Sequence, residues 1–380
     1  MAESKKEGTV ASNRPLDTAL RQQRLKGWQP VLDPLWVVAF MILLGVIFIP
    51  VGVLLQQKSE EIVELSLEYD NYQNSSQSLC GSGKTPNQNK TCTLPSITVP
   101  KDMQPPILVY YQLTNFYQNH FKYKESVDIN QLKGEPSQKS TTKDHPCTPL
   151  YNISGTLLNP CGLVANTFFN DIIKLVDSKD ANTSEPLQMR EDGIAWQSEL
   201  EYRFDQPIGF QHEQCTSCDA DDCTCEGDNW SCKEPWKDPE DGSCYKYFYP
   251  DDDITQYLYE TYPMVINPIE GVTNEHFIVW MRLAALPKFR KLYGYIQQPI
   301  AKGTELTFEV TANFEVESFA GTKTLVITTA NEFGGKNDYF GRSFIIVGAL
   351  NIVFAFLFGV KHWLAPRKLG DPLYLKYKEA

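Results

Sequence analysis

The sequence predicts a membrane protein whose two transmembrane helices flank a large, mainly antiparallel β (α+β), disulfide-bonded and glycosylated ectodomain. Three observations carry this. Apolar runs sit near both ends of the 380-residue chain, both ends are basic around an acidic middle, and all ten cysteines and five glycosylation sequons fall between the runs.

The first run, residues 35–55 (LWVVAFMILLGVIFIPVGVLL), has no charged residue. At about 1.5 Å per residue it covers about 31 Å, the thickness of a bilayer core. The second, residues 339–360, is interrupted early by Arg342. Its uninterrupted part, 343–360, is still about 27 Å long, and Tyr339, Phe340 and Trp363 beside it suit an interfacial aromatic belt. The first run starts only after 34 residues and lacks a small-residue cleavage site, so it reads as an uncleaved signal anchor.

Residues 1–34 carry six Lys/Arg against four acids, and residues 361–380 carry five against two. Removing these from the chain's 35 basic and 47 acidic residues leaves 24 and 41 elsewhere, a net of −17. The positive-inside tendency then puts both termini in the cytosol and the intervening domain in the lumen or outside the cell. The expected organisation is a cytosolic segment 1–34, a span 35–55, an ectodomain 56–338, a span 339–360 and a cytosolic tail 361–380. The sequons at Asn74, Asn89, Asn152, Asn182 and Asn229 agree, because glycosylation reaches them only on the far side of the membrane.

Within the ectodomain, residues 62–69 alternate Val63, Leu65, Leu67 and Tyr69 with polar positions, the period of a half-buried strand. Residues 306–316 alternate likewise, and Ala320-Gly321 is expected to turn the chain into 324–328 as a hairpin. Strands therefore adjoin both spans and are expected to pair in an antiparallel sheet rooted at the bilayer. Residues 163–176 (LVANTFFNDIIKLV) and 274–286 (NEHFIVWMRLAAL) carry the better helical patterns, the second opened by Asn274 as N-cap and closed by Pro287. Residues 71–106 and 211–253, rich in Asn, Ser, Gly, Pro and Asp, read as surface loops.

Cys80 with Cys92, and Cys147 with Cys161, each enclose a short loop and make good local pairs. Closing such loops stabilises by about 3 kcal/mol in the chain-entropy model. Cys215, Cys218, Cys223, Cys225, Cys232 and Cys244 read as three disulfides of open connectivity. The competing zinc site lacks a second Cys-x-x-Cys at ribbon spacing, and Asp219, Asp221 and Asp222 do not fit a calcium-binding EF-hand loop, so no metal is expected. The chain has no phosphate-binding loop, no Asp-Lys-Thr-Gly phosphorylation motif, no Gly-x-Ser-x-Gly elbow and no His-Glu-x-x-His, and its five histidines are not at ligand spacing. Neither an enzyme nor a cofactor is expected. In the second span Asn351 hydrogen-bonds either across a helix interface or back onto its own helix.

Six spaced stretches resemble one family. They are NRPLDTALRQQRLKGWQP (13–30), FIPVG (48–52), NFYQNH (115–120), PCGLVAN (160–166) with FND (169–171), NEHFIVWMRLAALPKFRKLY (274–293) and GGKN (334–337). Together they cover nearly the whole chain in order and resemble the ligand-effect-modulator, or cell-division-control-fifty, family, the accessory β subunits of type IV P-type ATPases that flip phospholipids. The resemblance implies a heterodimer with such an ATPase, contact with membrane lipids and no nucleic acid, and residence in the endoplasmic reticulum, Golgi, endosome or plasma membrane. It also places Cys147–Cys161 on a family disulfide, while the six-cysteine block departs from the common pattern. Arg14, Arg21, Arg24, Trp28 and Asn351 are the expected partner-binding residues, since the Gln-rich basic segment 14–28 suits docking on a protein as well as on anionic lipid. The rival reading is a trimeric ligand-gated cation channel of the same topology; the acidic ectodomain and spans without a polar stripe argue against it.

Overall fold

The computed structural model describes residues 17–25, 33–70, 91–135, 145–218, 235–239 and 241–366, with the backbone alone of 72–74 and 78–80. Residues 1–57 with 338–380 form one compact unit and residues 58–337 another.

The first unit holds the helices Pro34–Glu61 and Asp338–Leu364, both long and apolar enough to cross a membrane. The first outlasts its apolar run, ending beyond Lys58. The second has Asp338 in its first turn and Lys361 and His362 in its last, charges that complement the helix dipole. The two run antiparallel and approach through glycines seven residues apart on each: a Cβ added at Gly52 would lie 2.8 Å from the Gly341 carbonyl, and one at Gly348 would lie 2.8 Å from Ile49 Cγ1. Small residues allow such approach where no hydrophobic effect drives helices together. Phe48 and Phe344 pack beside them, ring centroids 5.3 Å apart.

The second unit is built on a five-stranded antiparallel sheet in the order Glu64–Glu68, Lys323–Thr329, Ile107–Leu113, Phe289–Ile296, Met189–Arg190. Glu64–Glu68 pairs with Lys323–Thr329 (Glu64 opposite Thr328), so the strands adjoining the two spans do pair. Six of the seven residues of Lys323–Thr329 are buried, because paired strands flank it on both sides and both its faces are covered. A second sheet centres on Glu305–Thr311, flanked by Ile172–Val176, Thr91–Thr93 and Ile97–Thr98. Val109, Tyr111, Leu325 and Ile327 of the first sheet and Leu306, Phe308 and Val310 of the second meet in one core.

Four expectations need correction. Residues 305–311 and 323–329 are not a hairpin: they lie in different sheets, joined by a crossover that contains the 3-10 turn Glu317–Phe319. Each pairs elsewhere, Glu305–Thr311 with Ile172–Val176 and Lys323–Thr329 with Ile107–Leu113 over its full length. Residues 163–176 are not a helix but a 3-10 turn, Ala165–Thr167, and a strand, Ile172–Val176. There Ile173 is fully buried and Lys174 exposed, and tertiary pairing overrides the helical pattern. The helix opened by Asn274 ends at Met281, five residues early, and its C-terminal carbonyls are taken by a side chain described below. Residues 71–106 and 211–253 also contain strands, among them Gln211–Gln214, Trp236–Lys237 and Cys244–Phe248.

Candidate functional site

Three of the stretches singled out in the sequence, 115–120, 160–171 and 274–293, meet in the core of the second unit. Phe116 sits among Tyr123, Trp280, Phe289, Phe314 and Phe319, with centroids 5.3–6.3 Å away. Its neighbours hold the chain in place: Gln118 Oε1 accepts from Ala284 N at 2.8 Å, and Asn119 Nδ2 donates to Ala285 O at 2.8 Å. Asn274 caps its helix by accepting from Phe277 N at 3.1 Å, and Glu275 accepts from Gly193 N and Ala195 N at 2.8 and 2.7 Å. Trp280 Nε1 donates to Val164 O at 2.8 Å, tying two of the stretches together.

Asp171 is the polar centre of this core. One carboxylate oxygen accepts from Asn313 N and Phe314 N, both at 2.6 Å, and the other accepts from Lys323 Nζ at 2.7 Å and Tyr69 Oη at 2.9 Å. Burial, reinforced by Asp171, pushes the Tyr69 phenol well above its ordinary range. A second buried lysine, Lys291, donates to Val279 O and Trp280 O at 3.0 and 3.1 Å and to Arg282 O, ending the short helix. These carbonyls favour the ammonium, but burial, with Arg282 nearby, pulls its pKa down to about 7. Sequence reasoning missed both lysines. The available clue was a lysine in phase with apolar residues of its strand, Lys323 with Leu325 and Ile327, and Lys291 with Phe289 and Tyr293.

Cys147 and Cys161 are bridged, Cα–Cα 5.6 Å. Between them Asn152–Ile153 and Thr156–Asn159 form a hairpin turning at Ser154-Gly155, both with positive φ. The bridge is seated by Gln131 Oε1, which accepts from Cys161 N at 2.8 Å, and Ser126 Oγ, which donates to Cys147 O at 3.0 Å. Gly162 has φ +102°, and a Cβ there would strike the Ser126 backbone, which accounts for the glycine after the cysteine. His145 lies close to both sulfurs, the one such cluster among the described residues. The sulfurs are already bonded to each other and His145 Nδ1 accepts from Cys147 N at 3.1 Å, so the cluster does not suit a metal.

Cys218 is bridged to Cys244, and Cys92 and Cys215 are also disulfide-bonded. Of Cys80 only the backbone is described, paired opposite Tyr72. Cys223, Cys225, Cys232, Asp219, Asp221, Asp222, Asn89 and Asn229 lie outside the described residues, as does the side chain of Asn74. Asn152 is half-buried and Asn182 exposed. The turn at Asn182 is organised by Asp180, which accepts from Ala301 N at 2.7 Å, Thr183 N at 2.9 Å and Asn182 N at 3.1 Å. These donors, Ala301 first, hold the Asp180 carboxyl down at about 2.

Of the expected partner-binding residues, Arg14 and Trp28 lie outside the described residues. Arg24 forms an exposed ion pair with Asp17 across a turn, whereas the Arg21 side chain has no ionic partner among the described residues. Leu20 on this turn and Leu25 just after it are exposed. Asn351 Nδ2 donates to Val347 O on its own helix at 2.8 Å. Beside it, Val38, Ile42, Ile352, Ala355, Phe356 and Trp363 line an apolar groove of about 600 Å³ between the two long helices.

The comparisons with known proteins fit this picture. A family model described as the LEM3 (ligand-effect modulator 3) family / CDC50 family matches residues 55–368. ALA-interacting subunit 3 of Arabidopsis thaliana is 32% identical over 376 residues, covering 96% of this chain and 91% of the relative. Cell cycle control protein 50A of Mus musculus is 32% identical, covering 93% and 89%. The phospholipid-transporting ATPase accessory subunit CRF1 of Saccharomyces cerevisiae is 30% identical, covering 99% and 92%.

Proposed function

Since the chain belongs to the LEM3/CDC50 family, we propose that it is the non-catalytic accessory subunit of a type IV P-type ATPase that moves aminophospholipids to the cytosolic leaflet. One observation carries this reading: end-to-end similarity to a relative whose name makes it an accessory subunit of a phospholipid-transporting ATPase. Two supports come from the chain itself. It carries no nucleotide-binding or phosphorylation motif, and its apolar helices flank a disulfide-bonded domain suited to binding a larger membrane protein. Such a subunit acts by stabilising whichever conformations of the pump it contacts best, while ATP supplies the energy elsewhere.

On this reading both termini are cytosolic, Asn152 and Asn182 carry glycans, and the subunit is required for folding and export of the pump from the endoplasmic reticulum. Arg14, Arg21, Arg24 and Trp28 then dock on the pump's cytosolic face. Purification of the tagged chain in mild detergent tests the reading. The expected result is one much larger P-type ATPase at equal stoichiometry, with lipid-stimulated ATP hydrolysis only in the complex. Recovery of a homotrimer that conducts ions when ATP is added refutes it.

A further inference from the structure

We propose that the turn Asn331–Gly334 is a membrane-interface anchor, with Phe333 seated in the headgroup region of the lumenal or extracellular leaflet. The turn does not itself require an aromatic residue. Asn331 and Gly334 make it: their backbones pair at 2.9 and 3.1 Å, Asn331 Oδ1 accepts from Phe333 N at 2.9 Å, and Gly334 takes φ +101°. These bonds aim Phe333 outward, 66% exposed, at a tip flanked by Glu332 and Lys336. A large ring so exposed is unfavourable in water but suits the bilayer interface.

The position of the tip follows from what holds it. Asn331 Nδ2 donates to Lys58 O at 2.9 Å, and Asn337 N donates to the buried Ser59 Oγ at 3.1 Å. Lys58 and Ser59 belong to the same uninterrupted helix as Leu55, the last residue of the apolar run. At 1.5 Å of rise per residue, Lys58 stands only about 4.5 Å beyond that run, within interfacial depth. The turn is thus tied to the helix where it leaves the hydrocarbon, and the chain enters the next apolar helix four residues after Gly334, at Asp338. Tyr339 and Phe340, in that helix's first turn, are 80% and 50% exposed and extend the aromatic character of the segment. The inference rests on reading Pro34–Glu61 as a membrane span.

Replacing Phe333 by the photoreactive p-benzoylphenylalanine in the full chain, in native membranes with its partner present, tests the anchor. After irradiation and proteolysis the expected product is the 333 peptide with a mass shift equal to a phospholipid. The same substitution at Tyr202, exposed elsewhere in the second unit, should give no lipid adduct. A 333 adduct to a polypeptide, no adduct, or lipid adducts equal at 333 and 202 would each overturn the proposal. Substitution at Phe354, inside the second apolar helix, separates the two readings. Lipid adducts at 354 without any at 333 defeat the anchor alone, and absence at both defeats the spanning reading with it.

Discussion

Lys323 Nζ lies 2.7 Å from Asp171 Oδ2 with the two side chains 1% and 0% exposed, an ion pair sealed in the middle of a β core. The lysine comes from the strand that leads to the C-terminal helix and the carboxylate from the segment that follows the Cys161 bridge. Two distant stretches of chain are thereby held to one register, and each charge is costly without the other.

The first prediction follows from that cost. Asp171→Ala leaves a buried ammonium and two backbone N–H groups of Asn313 and Phe314 without their acceptor, and breaking one side of a buried pair typically costs about 3–5 kcal/mol. Asp171→Leu combined with Lys323→Met removes both charges and should recover part of the loss. Thermal unfolding of the purified complex checks this. A double variant as unstable as Asp171→Ala would show that the ion pair itself is not what the core depends on.

The second concerns pH. Lys291 is pulled from an ordinary lysine range down to about 7 in the folded protein, so between about pH 7 and 10 the unfolded chain binds more protons. Stability should therefore rise as pH increases from 7 towards 9.5. Above that, tyrosines such as Tyr111, whose burial pushes them well above 10, begin to oppose folding as they ionise in the unfolded chain. Lys291→Met should flatten the rise in melting temperature between pH 7 and 9. An unchanged slope in that variant would mean that Lys291 stays charged on its three carbonyls throughout.

These two lysines also mark how far the sequence could be read. The spans, the strand pairing beside them, the Asn274 cap and the alternation of 305–311 were legible, because periodicity and capping are local. The false hairpin and false helix failed for a shared reason: pairing partners lay over a hundred residues away, Ile172–Val176 against Thr307–Thr311, and no local pattern records that. Of the candidate site, the Cys147 loop was visible, whereas the seating by Ser126 and Gln131 was not, since it joins residues related only in three dimensions.

The third prediction uses the bridge. Losing a native disulfide commonly costs about 2–5 kcal/mol, and here Ser126, Gln131 and Gly162 lose their reference point with it. Cys147→Ser should retain both subunits in the endoplasmic reticulum, read as glycans that stay sensitive to endoglycosidase H. Normal maturation of those glycans in the variant would rule out a folding role for the bridge.

The fourth addresses the spans. A Cβ at Gly341 would lie 2.8 Å from the Gly52 carbonyl and 2.7 Å from Gln56 N, backbone that cannot yield, whereas a Cβ at Gly359 meets nothing within 4 Å. Gly341→Val should lower both the yield and the melting temperature of the detergent-solubilised complex, while Gly359→Ala should match wild type. Equal behaviour of the two would argue against close helix packing at Gly341.

The last prediction separates protein from lipid as the target of the N-terminal segment. A lipid-binding segment needs positive charge and an apolar face, yet this one also carries Gln22, Gln23 and Gln29, amides suited to directed hydrogen bonds. Arg24 already spends its guanidinium on Asp17, while Arg21 has no such partner among the described residues. The Arg24 pair is exposed, so it contributes little by itself and mainly orients the turn. Among the described residues, Arg21 is therefore the arginine of this segment whose planar donor fork is not committed to an ion pair. Arg21→Lys keeps the charge and loses the fork, and should lower lipid-stimulated ATPase activity of the co-purified complex at equal subunit ratio. Arg24→Lys should have a smaller effect, because lysine still pairs with Asp17. If Arg21→Lys retains wild-type activity and only Arg21→Ala loses it, charge alone matters and the segment acts on anionic lipid.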